Sequence, residues 1–196
     1  LADGSVWPLT TNDFPTVDPT DPYTLTPQEQ HIIDKLVSEF VTADHLHRHI
    51  DFLYTHGSMY KVTNGNLLFH ASVPMNADGS LKEVELCGQS YSGRELMHRI
   101  GMYMRTAFQA DTPKAERNSA RDYFWYLWCG QDSPLFDKDR MTTFERYMLE
   151  DKSTYHEEKG YYYTLREQPE VCDRILDAFG VKGDNRHIIN GHVPVH

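Results

Sequence analysis

A chain of 196 residues carries 29 acidic against 19 basic side chains, a formal charge of −10, with 39% hydrophobic and 12% aromatic residues. This length and apolar share support one ordinary domain with a sizeable core and exclude a disordered chain. The acidic balance excludes a general binder of nucleic-acid backbone, which needs clustered Lys and Arg, but leaves room for one anionic substrate met by a local positive cluster.

Residues 1–25 place Pro8, Pro15, Pro19 and Pro22 among Asp and Thr, a composition that blocks helix and central strand alike and predicts an extended arm. Its opening "LADGSVWPLTT" has no basic stretch followed by an apolar core, so it does not read as a secretion signal. It also lacks an initiator Met. "TPQEQ" then combines Thr26 as N-cap, Pro27 at the first helical position and Glu29 three residues after the cap. With Ile32, Ile33, Leu36, Val37 and Phe40 at helical spacing, a helix over about 27–41 follows. A second stripe, Leu46, Ile50 and Leu53, restarts near Asp44 and ends near Gly57, giving a helix pair.

The period changes at "SMYKVTNGNLLFHASVP", where β-forming residues flank Asn64-Gly65 and predict a two-stranded hairpin with His70 at the end of its second strand. "LKEVELCG" alternates as a third strand, and Ser92 with Glu95 opens a helix carrying Leu96, Ile100 and Met104. The aromatic stretch from Ser119 to Leu127 suggests a buried helix ending before Gly130. "SPLFDKDRMTTFERYML" reads as an ordered loop leading into a short helix from about Thr142. A helix over about Pro169 to Phe179 and a last strand, "HIIN", complete the chain. No run reaches the roughly 18 apolar residues of a membrane span, so no membrane partner is expected, and the acidic balance speaks against nucleic acid as a partner. Cys87, Cys129 and Cys172 are odd in number and share no CxxC spacing, which indicates neither a disulfide framework nor a zinc ribbon and fits a reducing cytoplasm.

Eleven histidines need sorting before any is given chemistry. His45, His47 and His49 recur every second residue and so fall on different helix faces, which suits surface or capping roles. Arg94 and His98 share one helix face, either as solvated groups or as a cationic surface toward phosphate. Trp125, Trp128 and Tyr161 to Tyr163 read as packing groups rather than a stacking platform. His70 and His192 stand apart, because "NLLFHASVP" and "HIINGHVPV" each run a buried strand into a histidine and then a loop. Strand ends fix side chains rigidly against an open crevice, and Gly191 allows close backbone approach beside His192. Either could be an ordinary hydrogen-bonded histidine. Together they suggest two ligands of a metal centre, which needs further carboxylate or carbonyl donors. Lys138 and Arg140 are candidates for holding phosphate, or a pair of surface charges compensated by Asp137 and Asp139.

"NGNLLFHASVPMNADG", "YSGREL", "YLWCGQDSPLFDKDRMTTFERYM", "EVCDRILDAFG" and "HIINGHVPV" resemble consecutive stretches of the class III fructose-1,6-bisphosphatases of bacteria, within the calcineurin-like metallophosphatase superfamily. The resemblance runs from about Phe14 to the last residue. It implies that His70 matches a lone strand-end ligand and His192 the histidine of the last ligand motif, with Pro194 where some members carry a second histidine. Members usually show Gly where Asp137 stands. The superfamily's D-x-H, G-D-x-x-D-R-G and G-N-H-D/E motifs occur nowhere in this chain, so the catalytic residues are not identified here, and the chain resembles an internal piece of a longer enzyme.

The implied fold is α/β, an α+β-like part of a metallophosphatase β-sandwich: an arm at 1–25, then the C-terminal part of the domain over 26–196 with a helical insertion at about 92–180. The implied activity is metal-dependent hydrolysis of fructose 1,6-bisphosphate to fructose 6-phosphate and phosphate in gluconeogenesis, on a two-metal site holding manganese by family analogy. The fragment itself is expected to be inactive, to need the remainder of the polypeptide, and to expose apolar sheet surface that self-association would cover. The alternatives are a calcineurin-like phosphatase acting on protein or nucleotide, and a non-catalytic interaction or oligomerisation module.

Overall fold

The computed structural model describes residues 1–193 and forms two compact units, one of Leu1–Gly57 with Thr143–Tyr155 and the other of Ser58–Thr142 with residues from His156 onward. No helix among the described residues is long and apolar enough to cross a membrane.

In the first unit, residues 1–25 form turns and isolated bridges without helix. This arm is tied down at Leu9 and Thr10, since Leu9 bridges Leu149 and the Thr10 amide donates to the Met148 carbonyl at 2.8 Å. Helix α1 (Pro27–Thr42) starts at the expected capping box: the Glu29 amide donates to Thr26 Oγ1 and the Thr26 amide donates to Glu29 Oε2. Helix α2 spans Asp44–His56. Neither buries a residue. The apolar stripe that predicted α1 instead faces solvent, with Ile32 57%, Val37 56% and Phe40 66% exposed.

The second unit is built on a mixed sheet, β1 (Tyr60–Thr63), β2 (Asn66–Phe69) and β5 (His187–Asn190) in the order β1-β2-β5. β1 and β2 are antiparallel across the Asn64-Gly65 turn, whose two residues both have positive φ (50° and 75°) as a two-residue hairpin of this hand requires. β5 joins β2 in parallel, Leu67 opposite Ile188 and Phe69 opposite Asn190. By that register Tyr60, Val62, Leu67, Phe69, Ile188 and Asn190 share one face. Against it pack α3 (Gly93–Thr106) and α7 (Pro169–Ala178), enclosing a core that includes Leu67, Phe69, Val73, Met97, Ile175 and Phe179.

A separate hairpin, β3 (Val84–Leu86) and β4 (Gln89–Tyr91), turns on Cys87-Gly88 with φ of 53° and 78°. The sequence predicts only its first strand, because cysteine does not advertise a left-handed turn position. α4 (Lys114–Cys129) is longer than expected and turns its aromatic side outward: it buries Ala120 and Leu127, while Trp125 and Trp128 are 63% and 57% exposed. These two are therefore not core groups. Ser92 precedes α3 without capping it, and Glu95 pairs with Arg99 at 2.6 Å instead of closing a capping box. Short helices α5 (Thr143–Met148), in the first unit, and α6 (Tyr162–Leu165), in the second, complete the set.

Candidate metal and phosphate site

The parallel pairing of β2 with β5 brings the two singled-out histidines together. His70 directly follows β2, and the Gly191 amide donates to the His70 carbonyl at 2.9 Å, one step beyond the last ladder pair. His192 then turns back with φ 67°, and its Nδ1 lies 3.1 Å from His70 Nε2, the ring planes inclined at 65°. Gly191 is not forced by crowding, since a Cβ there would meet nothing nearer than the His70 oxygen at 3.8 Å. That corrects the expectation of a close backbone approach.

Two nitrogens 3.1 Å apart can share one proton in a hydrogen bond. The same separation suits neighbouring donors on one ion with metal–nitrogen bonds of about 2.1 Å. Burial first, then the His70 ring and the Lys138 ammonium, lower the pKa of His192 and so favour the unprotonated imidazole that a metal requires. The pair thus fits two positions of a metal centre. Among the described residues no cluster of three or more His, Cys, Asp or Glu side chains completes one.

Two residues hold the pair in register: Asn190, which the sequence did not mark, and Tyr162, which it marked only as a packing group. Asn190 faces the core beside Phe69; its Oδ1 accepts from the Tyr162 hydroxyl at 3.0 Å, and its Nδ2 donates to the Ala71 carbonyl at 2.9 Å. Tyr162 is 1% exposed and meets Phe69 edge to face. A polar residue on the core side of a strand end demands such partners, and the alternation of "HIIN" is the signal that could have found it. Tyr162→Phe is expected to cost about 1 kcal/mol by leaving Asn190 Oδ1 unmet. In a metal-loaded protein it should also weaken metal affinity by about 10-fold or more, as measured by urea unfolding and metal titration.

Lys138 lies near enough to bear on His192, but its Nζ is held at 2.7 Å by Glu157 Oε2. Burial opposes the charge on Glu157, yet Lys138 together with the Thr142 amide and hydroxyl outweighs it and holds the carboxyl down at about 2. Arg140 is more exposed and pairs with its neighbour Asp139 at 2.9 Å. A phosphate would meet both cations already compensated. Next to them Asp137 is 2% exposed with φ 49°, its carboxyl beside the Ser72 hydroxyl, which offsets part of the cost of burial. Burial pushes the Asp137 carboxyl up to about 6. The Pro194 position of the last motif lies outside the described residues. His45, His47 and His49 are exposed along α2, with His45 Nδ1 3.0 Å from an Arg48 nitrogen.

Comparison with known proteins identifies the family. A family described as Firmicute fructose-1,6-bisphosphatase matches residues 1–196. The chain is 53% identical over 193 residues to a "Fructose-1,6-bisphosphatase class 3" of Bacteroides fragilis, covering 98% of this chain and 29% of that protein. Proteins of the same name from Porphyromonas gingivalis and Phocaeicola vulgatus are 55% and 52% identical over 190 and 195 residues, covering 97% and 100% of this chain. This chain again spans 29% of each. No solved structure matches.

Proposed function

We propose, because this chain belongs to the Firmicute fructose-1,6-bisphosphatase family, that within a polypeptide of its relatives' length it forms part of a metal-dependent phosphatase. The reaction is the conversion of fructose 1,6-bisphosphate to fructose 6-phosphate and phosphate, a cytoplasmic step of gluconeogenesis. The observation that carries this reading is the meeting of His70 and His192, 122 residues apart, at two adjacent parallel strand ends. A divalent ion, manganese by family analogy, would supply Lewis acidity toward the phosphoryl oxygens.

The chain's own residues contribute position and charge. His70 and His192 would hold the ion, with burial, the His70 ring and the Lys138 ammonium all disfavouring a proton on His192. Asn190 and Tyr162 fix the strand end that carries His192. Lys138 offers a point charge to a phosphate and Arg140 a planar fork, each displacing the carboxylate that holds it now.

Phosphate release from fructose 1,6-bisphosphate, measured for the isolated chain and for the full-length protein, tests the proposal. The chain alone is expected to be inert and the full-length protein active. Full-length protein that ignores the sugar bisphosphate and cleaves a nucleotide or phosphoprotein would transfer the assignment to another metallophosphatase specificity. Self-association is the second reading, supported by the exposed apolar side of α1; sedimentation of the chain as a monomer would remove it.

A further inference from the structure

A cavity of about 540 Å³ opens where the start of α3 meets the sheet, lined among others by Tyr60, Ser92, Arg94, Glu95 and His98. In a chain of net charge −10, its balance of charge is unusual. Glu95 is its acidic member, and that carboxylate is held by Arg99 at 2.6 Å. Arg94 forms no ion pair with an acid among the described residues. Its Nε donates instead to the Tyr60 hydroxyl at 3.0 Å, and Tyr60 is itself fixed edge to face on the core residue Phe179. The guanidinium is thereby oriented without being neutralised. His98 stands one turn further along the same helix face, and the Ser92 hydroxyl is not engaged in capping α3.

We propose that Arg94 and His98, with the hydroxyls of Tyr60 and Ser92, form a binding site for the phosphate group of a small phosphate ester. A guanidinium held by one nitrogen presents its remaining N–H donors as a fork that matches two phosphate oxygens, and an imidazole and hydroxyls supply further donors. The cavity has room for an organic group attached to that phosphate. The ester can be the sugar bisphosphate or a separate small phosphate, since the chemistry recognised is the same. The inference stands on these side chains alone and does not depend on the activity proposed above.

The test is titration of the chain with inorganic phosphate, phenyl phosphate and fructose 1,6-bisphosphate at constant ionic strength, followed by the His98 ring signals in NMR. Those signals are identified by their loss in His98→Gln. Saturable shifts are expected with phosphate and not with chloride. Arg94→Ala should weaken phosphate binding at least about 10-fold, Arg94→Lys less, and Lys35→Ala on α1 not at all. Binding of the sugar bisphosphate 10-fold or more tighter than phenyl phosphate, abolished by Arg94→Ala, identifies the sugar as the ligand. Any smaller preference identifies a separate phosphate ester. Shifts reproduced by chloride, or affinity unchanged within about twofold in Arg94→Ala, would overturn the proposal.

Discussion

Replacing His192 by alanine in the full-length protein is expected to strip bound metal and to lower turnover of fructose 1,6-bisphosphate by at least about 100-fold. Loss of a residue that merely orients a ligand already costs about 10- to 100-fold, and removing the ligand itself should cost no less. His187 provides the control: it lies on the same strand β5, exposed, three residues before Asn190, and His187→Ala should leave metal content and rate unchanged. The pH dependence has a definite sign. Because burial and two neighbouring groups lower the pKa of His192, protonation competes with metal at lower pH than for an ordinary histidine, so metal should stay bound to lower pH than on an exposed pair. Elemental analysis showing equal metal in wild type and His192→Ala would remove His192 from the site.

The second large effect concerns stability. Asp137 is buried and adopts a left-handed backbone, with the Ser72 hydroxyl beside its carboxyl. Its carboxyl is raised from 3.8 to about 6 chiefly by burial. A folded pKa above the unfolded one means that both states are protonated below about 3.8 and the group does no harm there. As pH rises through about 6 the folded protein must ionise a buried carboxyl, and the interval corresponds to about 3 kcal/mol of lost stability at neutral pH. Asp137→Gly removes the charge and relieves the left-handed φ. The variant should therefore be more stable than wild type by about 3 kcal/mol at pH 7.5 in urea unfolding, with the advantage shrinking toward pH 4. A related arm probes Gly160, where any Cβ would collide with the Asp137 carboxylate. Gly160→Ala should cost about 1–3 kcal/mol in wild type and much less in the Asp137→Gly background. Equal stability of Asp137→Gly and wild type at both pH values would show that the carboxyl is already accommodated.

The sequence disclosed what depends on neighbours along the chain. Thr26 to Glu29 announced the start of α1, Asn64-Gly65 the hairpin, and Gly180 the end of α7, each through chemistry contained within a few residues. His70 and His192 were legible because both repeat one local form, a strand passing into a loop. What stayed hidden depends on partners distant in sequence. Nothing near Asn190 announces Tyr162 or the Ala71 carbonyl, and nothing near Lys138 announces Glu157. The side of α4 that faces inward was misjudged for the same reason. Aromatic content suggested burial, yet the neighbours accommodate Ala120 and Leu127 and leave Trp125 and Trp128 outside. Ser92 and Glu95 had the spacing of a capping box, but Arg99 one turn later took the carboxylate.

The side-by-side, same-direction alignment of β2 and β5 has a kinetic corollary. Strands so oriented cannot be joined by a tight turn, and here the crossover carries α3, α4 and α7. Drawing together chain segments this remote sacrifices loop entropy before any ladder bond rewards it. The imidazole pair therefore cannot form from either strand alone: it requires closure of this whole crossover, so metal capture is expected to report the pairing of β2 with β5.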